Sequence, residues 1–174
     1  MKRAVSMKIL PMTRAHIPAC AAILSASEPW KRLGEGFDFD RAFSRNQQTN
    51  KAYVLIVQKE TVGFIVFTPQ PVFARGGYLR AIGVTTSKRR QGIGKNLMRF
   101  AEETTARHSP NFYLCVSSFN RKAQSFYRNL GYQKVGSIPD LLLKGASEYI
   151  YWKRLSQFKK KAKDRRFYDK FKEN

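Results

Sequence analysis

The hydrophobic positions of the chain fall into short blocks, several of which have the composition of β-strands. AYVLIVQ (52–58) and TVGFIVFTP (61–69) are rich in β-branched and aromatic residues, and Lys59 and Glu60 between them predict a tight hairpin turn. These blocks together predict one sheet of six to seven strands. The other strands are predicted at MKILPM (7–12), GYLRAIGVT (77–85), NFYLCVS (111–117), YQKVGSI (132–138) and SEYIYWKRL (147–155).

Between these strands, apolar residues recur at the three- and four-residue spacing of amphipathic helices. Thr13 is a candidate cap for the first helix, and Gly131 is placed to end the last one. The breakers Pro29 and Gly34 predict that SEPWKRLGEG (27–36) is a loop. The helices are predicted after Thr13 as far as Leu24, and at about 40–48, 93–108 and 120–132.

The predicted elements follow the order β-α-α-β-β-β-α-β-α-β-β. In the middle, a strand, a glycine-containing turn, a helix and a second strand predict a crossover unit, and the hairpins on both sides require antiparallel pairs. The sequence therefore predicts a single α/β (α+β) domain in which about four helices flank a mixed sheet. We place this domain at 1–155 and expect a basic C-terminal helical tail at 156–174.

Composition and cysteine spacing argue against several other classes of protein. A chain of 174 residues with 43% hydrophobic residues can bury a core, and no apolar run reaches the roughly 18 residues that suggest a membrane span. Cys20 and Cys115 have neither disulfide-framework nor metal-ligand spacing, and His16 and His108 complete no ligand set with them. We therefore expect no metal, and the free thiols favour a reducing, cytoplasmic location.

The net charge of +21, from 33 Lys and Arg against 12 Asp and Glu, favours anionic partners. The tail SQFKKKAKDRRFYDKFKEN (156–174) contributes eight basic and three acidic residues and interleaves them with Phe158, Phe167, Tyr168 and Phe171. Such a segment suits docking on ribosomal RNA or another nucleic acid, a membrane surface or a protein partner. A solvated terminal helix that packs a few aromatic side chains on the domain is the alternative.

The segment TTSKRRQGIGKNLMRF (85–100) combines a basic turn with the start of a helix. We expect Gly92 and Gly94 to adopt positive φ angles and to let the backbone approach a ligand closely. Successive N–H groups would then point outward at a helix N-terminus, where the helix dipole favours an anion. The turn predicts a phosphate or pyrophosphate site, with an ordinary strand-to-helix turn as the alternative. Basic side chains surround this point at Arg89, Arg90 and Lys95.

Two common phosphate-binding motifs fail at named residues of this turn. A P-loop requires G-x-x-x-x-G-K-[ST], but Arg89 stands at the first glycine and Asn96 replaces the hydroxyl residue that binds Mg²⁺. The dinucleotide fingerprint G-x-G-x-x-G fits Gly92 and Gly94, but Leu97 stands at its third glycine. If this turn binds an anion, it therefore does so through a phosphate-binding motif other than these two.

The segment RRQGIG (89–94) resembles the [Q/R]-x-x-G-x-[G/A] pyrophosphate loop of the GNAT acetyltransferases, which bind acetyl-CoA. The later helix NRKAQSFYRNLGY (120–132) resembles the same family's N-x-x-A-x-x-[FL]-Y-x-x-x-G-[FY] pattern. The detailed resemblance spans 77–132 and is closest to the N-terminal and ribosomal-protein N-acetyltransferases. It implies that two central strands splay apart and that the cofactor lies in the gap between them.

The resemblance also implies which residues bind acetyl-CoA and assist the transfer. Backbone N–H groups of 90–95 would hold the pyrophosphate, and the backbone of Ile82 and Val84 would line the pantetheine arm, with the Val84 N–H polarising the thioester carbonyl. Asn120 would contact the cofactor near the pantetheine, and Tyr127 would protonate the leaving thiolate. The implied cofactor-binding residues are Ile82, Val84, Arg89, Arg90, Gln91, Gly92, Ile93, Gly94, Lys95 and Asn120.

The general base does not follow directly from the resemblance. Ribosomal-protein N-acetyltransferases carry a Glu five residues before the motif's Asn, whereas this chain has Cys115, a thiol that is neutral at its usual pKa. Tyr78 is our candidate base, because a tyrosine serves at this place in one subgroup of N-terminal acetyltransferases. Its pKa would have to fall from about 10, or the proton would pass through water. Glu28, Glu35, Asp140 and Glu148 stay open as alternatives, as does an amine that enters already neutral.

Two loops are expected to wall the acceptor site, as in the family: SEPWKRLGEG (27–36) and PDLLLKGAS (139–147). Their apolar and basic composition predicts a peptide N-terminus, a lysine in an acidic context, or a small amine with an apolar or acidic neighbour, rather than a polyamine. The residues concerned are Trp30, Leu33, Leu141 and Leu142, together with Lys31, Arg32 and Lys144.

The sequence thus predicts an acetyl-CoA-dependent N-acetyltransferase that acts on a primary amine, with a protein N-terminus or a lysine foremost. Two other functions stay open: a small-molecule amine acetyltransferase, and a ribosome- or nucleic-acid-associated binding module on the same scaffold. Tyr127 and Tyr78 are the predicted catalytic residues. We expect a monomer or a homodimer.

Overall fold

One mixed sheet runs through the part of the chain that the computed structural model describes, which is residues 7–34, 36–39, 49–73 and 75–156. Its strands are β1 (Met7–Pro11), β2 (Lys51–Val57), β3 (Glu60–Phe73), β4 (Gly76–Val84), β5 (Asn111–Ser117), β6 (Gln133–Pro139) and β7 (Ser147–Arg154). They lie in the order β1-β2-β3-β4-β5-β7-β6. Only the β4–β5 pair is parallel within this sheet, so the predicted mixed sheet is confirmed.

Helices connect the strands on both faces of the sheet. In the described ranges they are α1 (Ile17–Ser25), α2 (Trp30–Leu33), α3 (Ile93–Thr105) and α4 (Arg121–Asn129). Gly131, with a φ of 87°, follows the end of α4, as the sequence predicted for a helix stop. The predicted order of the strands is confirmed. The helix predicted at about 40–48 and the tail beyond residue 156 lie outside the described residues.

The hairpin turn between β2 and β3 lies one position earlier than the sequence predicted. Gln58 and Lys59, with φ angles of 50° and 69°, form the turn, and Glu60 already belongs to β3. Two successive left-handed residues suit a two-residue hairpin, because their twist matches that of the flanking strands. The turn therefore consists of Gln58 and Lys59 rather than Lys59 and Glu60.

The predicted loop at 27–36 contains the short helix α2, which the sequence analysis missed. Pro29 lies at the N-cap of α2, and Gly34, at a φ of 69°, lies at its C-cap. A proline before the first turn and a glycine after the last turn are compatible with a helix between them. The two residues that predicted a loop therefore mark the ends of a helix.

The sheet separates two cores, which we name by the helix that covers them. On the α3 face, Leu97 of α3 and Phe67 of β3 are fully buried. On the α1 face, Leu24 of α1 packs in a cluster with Phe64 of β3. Fully burying a side chain of this size stabilises the fold by about 1.5–3 kcal/mol. Both faces of β3 are thus held by packing, which fixes this strand at the centre of the domain.

The parallel strands β4 and β5 part soon after they begin. Only residues 76–78 of β4 pair with residues 111–113 of β5, although β4 continues to Val84 and β5 to Ser117. Beyond these pairs, each strand keeps only its outer neighbour, β3 or β7. A gap therefore opens between two central strands at their carboxyl ends, as the resemblance implied. We call it the β4–β5 gap.

A β-bulge in β4 lies where the β4–β5 gap begins. Ala81 pairs with Val66 and Leu79 pairs with Phe67 of β3, so Arg80 is an extra residue. Leu79 belongs to the core on the α3 face, whereas Ala81 belongs to the core on the α1 face. The bulge therefore reverses the alternation of β4 and decides which face each later side chain meets.

A polar network joins β7, α3 and Tyr132, which lies just before β6. Lys153 Nζ lies 2.7 Å from Glu102 Oε2 in a largely buried ion pair. The Tyr132 hydroxyl donates to the other oxygen, Glu102 Oε1, at 3.0 Å. A single carboxylate thereby links three elements that lie far apart in sequence.

We expect Lys153→Met to lower the free energy of unfolding by about 1–3 kcal/mol, because it leaves the Glu102 carboxylate with one partner in a poorly solvated place. Arg99→Met is the matched control, since the Arg99–Glu103 pair is long, at 4.0 Å, and exposed. The control should change stability by less than about 0.5 kcal/mol. Urea unfolding of both variants measures the difference, and equal losses would contradict the structural role of the network.

Candidate active site

The backbone of β4 presents unpaired groups to the β4–β5 gap. The Thr85 N–H donates to the Val62 carbonyl of β3 at 2.9 Å. Because hydrogen-bonded and non-hydrogen-bonded pairs alternate along an antiparallel ladder, the N–H and C=O groups of Val84 and Ile82 point away from β3. Strand β5 no longer pairs with β4 at this level. Both predicted cofactor-lining residues therefore turn their peptide groups towards the gap.

An anion site lies beside this gap, where β4 leads into α3. Gly92 is the N-cap of α3 with a φ of 81°, and Arg90 also has a left-handed φ, of 61°. Within the described ranges, no acceptor is found for the backbone N–H groups of 90–95, and the first helical bond runs from Asn96 N–H to the Gly92 carbonyl. Free N–H groups at a helix N-terminus attract an anion. The predicted anion-binding geometry is therefore present.

The structure gives a steric reason for glycine at position 94, instead of the positive φ that the sequence suggested. It is the second residue of α3, and its φ is not positive. A Cβ at Gly94 would lie 3.2 Å from Cζ of Phe126 on α4. The expected positive φ is therefore found at Gly92 but not at Gly94. Ile93 between them is buried in the α3-face core and fixes the start of the helix.

The basic side chains of the turn differ in their contacts. Arg89 donates from Nε to the Val84 carbonyl at 3.1 Å and from its terminal nitrogen to Ser27 Oγ at 2.7 Å. It thereby ties the turn to the end of α1. Gln91 Nε2 makes only a long contact of 3.4 Å to the Ser87 carbonyl. The side chains of Arg90 and Lys95 are exposed and are free to approach an anion on the free N–H groups.

Asn120 caps α4 and reaches across to the connection between α1 and α2. Its side-chain oxygen accepts from the Ala123 N–H at 3.2 Å, and its amide nitrogen donates to the Glu28 carbonyl at 3.2 Å. The predicted cofactor contact of Asn120 would therefore compete with the contact to Glu28. Together with the Arg89–Ser27 bond, this contact holds residues 27–28 beside both cofactor motifs.

Tyr127 lies on the α3 face and has the environment of a proton donor. Its side chain is 6% exposed, and its ring meets Phe126 and Tyr132 edge-on, at centroid distances of 5.1 and 5.8 Å. Burial raises the pKa of Tyr127, so the phenol is protonated at neutral pH. Its hydroxyl has no hydrogen-bond partner among the described residues, which leaves the proton available to a ligand.

The opposite, α1 face of the sheet gathers a second set of polar groups. Cys115 and Ser117 alternate with the buried α3-face residues of β5, and Glu148 lies directly across from Ser117 on β7. Tyr78 precedes Leu79 and therefore shares this face, where the Cys115 thiol is close enough to help raise the pKa of Tyr78. Residues from three strands thus meet on the side of the gap that faces away from Tyr127.

The pKa of Tyr78 moves in the direction opposite to that required of a base. Burial raises it most, and the neighbouring Cys115 adds to the effect, while the Arg80 guanidinium opposes it. The phenol is therefore neutral at physiological pH and acts as a hydrogen-bond donor. The lowered pKa that direct proton abstraction by Tyr78 would need is absent, because the hydroxyl is desolvated and a single guanidinium does not offset that loss, so a base role for Tyr78 would have to act through water.

Glu148 is the carboxylate that the structure brings to this cluster. Its side chain is 5% exposed, and burial raises its pKa, while the Ser117 hydroxyl opposes the shift. The Ser117 hydroxyl has no well-aligned partner in the described part of the chain. Asp140 instead accepts the Gly145 N–H at 2.6 Å in the β6–β7 turn, and Glu35 lies outside the described residues. Glu148 is thus the sequence candidate whose pKa shifts towards neutrality.

The acceptor loops are arranged only partly as the sequence predicted. Trp30 is half-buried and packs edge-on against Phe37 at 6.0 Å, and the Arg32 guanidinium lies over the Phe119 ring at 4.2 Å. These side chains secure α2 against the domain. In the β6–β7 turn, by contrast, residues 141–143 are exposed and form an apolar rim.

The described residues lack both a metal-binding cluster and a membrane-spanning helix. They contain no group of three or more His, Cys, Asp or Glu side chains placed to hold a metal ion. None of their helices combines the length and the apolar character needed to cross a membrane.

The sequence matches the acetyltransferase (GNAT) family over residues 17–132, which is more than half of the chain. The chain therefore belongs to this family, the class that the β4–β5 gap and the free N–H groups before α3 define. No curated protein matches the chain.

Solved structures of several acetyltransferases share the fold at low sequence identity. The ribosomal-protein-S18-alanine N-acetyltransferase from Escherichia coli has a TM-score of 0.70 at 16% identity, over 87% of this chain and 95% of that one. Ard1 from Thermoplasma volcanium has 0.68 at 21% identity, over 87% and 99%. An aminoglycoside 6'-N-acetyltransferase complexed with coenzyme A has 0.67 at 20% identity, over 85% and 97%. These likenesses establish the fold.

Replacing either glycine of the turn by alanine should lower the free energy of unfolding, but for a different reason at each position. Gly92→Ala meets no atom within 4 Å but strains a φ of 81°, at a cost of about 1–2 kcal/mol. Gly94→Ala crowds the Phe126 ring instead, at a cost of about 1–3 kcal/mol. We expect Phe126→Leu to recover stability in the Gly94→Ala background only, measured by urea unfolding. Equal recovery in both backgrounds would refute the crowding account.

Proposed function

We propose that this protein is an acetyl-CoA-dependent N-acetyltransferase that transfers an acetyl group to a primary amine. The observation that carries the proposal is the β4–β5 gap, in which the backbone groups of Ile82 and Val84 lack a strand partner. Unpaired backbone groups on a central strand cost stability, so a ligand that pairs with them is the physical reason to keep the gap. A cytoplasmic location and a contact of 156–174 with the ribosome or another nucleic acid stay predictions of the sequence.

The residues around the gap fit the parts of acetyl-CoA. The N–H groups of 90–95 offer donors to a pyrophosphate, with Arg90 and Lys95 as exposed cations beside them. The peptide groups of Ile82 and the Val84 N–H offer hydrogen-bond partners to the amides of the pantetheine arm, whereas the Val84 carbonyl already accepts from Arg89 Nε. When bound, acetyl-CoA supplies the acetyl group as an activated thioester.

Acid and base functions fall to residues on opposite faces of the sheet. Tyr127, on the α3 face, holds its proton and would donate it to the leaving sulfur. Glu148, on the α1 face, would accept a proton from the acceptor's ammonium, so that the neutral amine attacks the thioester carbonyl, since burial has raised the pKa of this carboxyl. Tyr78 then orients the acceptor as a neutral donor, and the Val84 N–H stabilises the developing oxyanion.

The acceptor approaches from the α1 face, where Glu148 lies. The exposed apolar rim at 141–143 and the basic Lys144 suit a peptide N-terminus or a lysine side chain in an acidic context. The E. coli ribosomal-protein-S18-alanine N-acetyltransferase supports a protein acceptor by its likeness in fold. The aminoglycoside 6'-N-acetyltransferase supports a small amine as the second candidate in the same way.

Tyr127→Phe should lower kcat by about 10²–10⁴, because it removes the general acid and leaves the ring packing intact. The measurement is coenzyme A thiol release from acetyl-CoA with peptides of varied N-terminus, lysine peptides, polyamines and small arylamines. Tyr53→Phe is the matched control, since it removes the hydroxyl of a tyrosine whose ring packs on Phe100 far from the gap. The proposal fails if no amine in the panel is acetylated, or if both variants lose the same activity.

Glu148→Gln should lower kcat/KM at neutral pH by about 100-fold or more and abolish the acidic limb of its pH profile. The same variant should not be less stable. A carboxyl whose pKa is raised on folding destabilises the fold once it ionises, so the wild type should lose stability relative to the variant as pH rises above about 4.5. Asp140→Asn, which keeps the turn contact, is the control and should retain activity.

Ser117→Ala gives an independent check of the same group. The Ser117 hydroxyl lowers the pKa of Glu148 against the effect of burial, so its removal should move the acidic limb to higher pH. A limb that stays in place, or moves to lower pH, would show that another group sets the profile.

A further inference from the structure

Arg80 occupies an unusual place for an arginine, in the middle of a central strand. Strand β4 lies between β3 and β5, and the structure describes all nine of its residues. Among these nine, Arg80 alone is exposed. A long cationic side chain at such a position is solvated only because the β4–β5 gap opens beside it. Its exposure therefore marks the open side of the site.

The bulge in β4 places Arg80 between two residues of opposite faces, Leu79 of the α3-face core and Ala81 of the α1-face core. The Arg80 guanidinium is close enough to Tyr78 to affect that hydroxyl electrostatically, as is the Glu148 carboxylate. Arg80 and Glu148 therefore both lie near Tyr78, a residue of the α1 face.

No carboxylate of residues 7–34, 36–39, 49–73 or 75–156 forms an ion pair with Arg80. The ion pairs found in the described ranges are Lys153–Glu102 and Arg99–Glu103, and both lie on α3 and β7. Glu148, although it also lies near Tyr78, forms no ion pair with Arg80. A guanidinium presents several donors in a fixed fork that matches a carboxylate. The site therefore holds an uncompensated cation shaped for an anionic group.

The pyrophosphate of acetyl-CoA is not the anion that Arg80 would meet. Arg80 precedes Val84 by four residues, which corresponds to about 13 Å along a strand. The free N–H groups of 90–95 lie beyond Val84, at the other end of this distance. The anion opposite Arg80 must therefore come from the acceptor.

We propose that the acceptor is an amine that carries a carboxylate close to its amino group, and that Arg80 is the residue that selects it. The inference rests on the proposed acetyltransferase function and names its substrate class. A free amino acid supplies this chemistry through its α-carboxylate, and a peptide supplies it through an acidic side chain near its N-terminus. In both, the carboxylate meets Arg80 while the ammonium meets Glu148.

The test compares acceptors that differ only in charge. One arm pairs free amino acids with their neutral amides, and the other pairs N-terminal peptides that carry Glu or Asp with the same peptides carrying Gln or Asn. We expect the carboxylate member of at least one arm to have a kcat/KM about 10- to 100-fold higher, the usual range for a charge-assisted bond. The arm that shows the preference identifies the source of the carboxylate.

Variants of Arg80 separate recognition from folding. Arg80→Gln should abolish the preference mainly through KM, Arg80→Lys should restore part of it, and Arg80→Glu should favour acceptors with a basic neighbour. Arg99→Gln is the matched control, because Arg99 is an exposed arginine on α3, and the preference should persist in it. If the wild type acetylates charged and neutral acceptors equally, or if the preference is unchanged in Arg80→Glu, the role of Arg80 is overturned. The proposed acetyltransferase function would be unaffected by either result.

A binding measurement keeps the two proposals apart if turnover is absent. Calorimetric titration of the same acceptor pairs into the wild-type protein with coenzyme A present needs no acetyl transfer. Tighter binding of the carboxylate members, lost in Arg80→Gln, would support the role of Arg80 even if the acetyltransferase function failed. Equal binding of both members would overturn it.

Discussion

The separation of β4 from β5 is the constraint on which the rest of the site depends. Two neighbouring parallel strands pair over three residues and then diverge, although both continue. Packing on both faces holds β3, the outer neighbour of β4, and packing on the α3 face holds β7, the outer neighbour of β5. The peptide groups of Ile82 and Val84 and the first N–H groups of α3 then face a common space. The polar groups of the proposed site are arranged around that space.

The gap also divides the chemistry between two faces of one sheet. Tyr127 lies in the core on the α3 face, whereas Glu148 and Tyr78 lie on the α1 face. Burial raises the pKa of all three groups, the two phenols and the carboxyl. It keeps the phenols protonated as donors, and it moves the carboxyl towards the pH at which it exchanges protons. One physical cause therefore acts on both the proposed acid and the proposed base.

The two cofactor motifs are joined through a segment that belongs to the acceptor side. Arg89 bonds to Ser27, and Asn120 bonds to the carbonyl of Glu28. The Arg32 guanidinium adds a third contact from the same region, over the Phe119 ring. The connection between α1 and α2 therefore touches both halves of the proposed cofactor site, and a ligand that bound Arg89 or Asn120 would exchange bonds with that connection.

The sequence by itself determined the strand order, the glycine turn before α3 and the motif of α4, because these depend on local periodicity, caps and short spacings. It misplaced the β2–β3 turn and missed α2, because the flanking signals of a short helix resemble those of a loop. It also assigned one role to two glycines, although the ring of Phe126, distant in sequence, constrains Gly94. Only the tertiary structure placed Glu148 beside Tyr78 and turned Arg80 into the gap, because strand pairing and a bulge decide which side chains share a face.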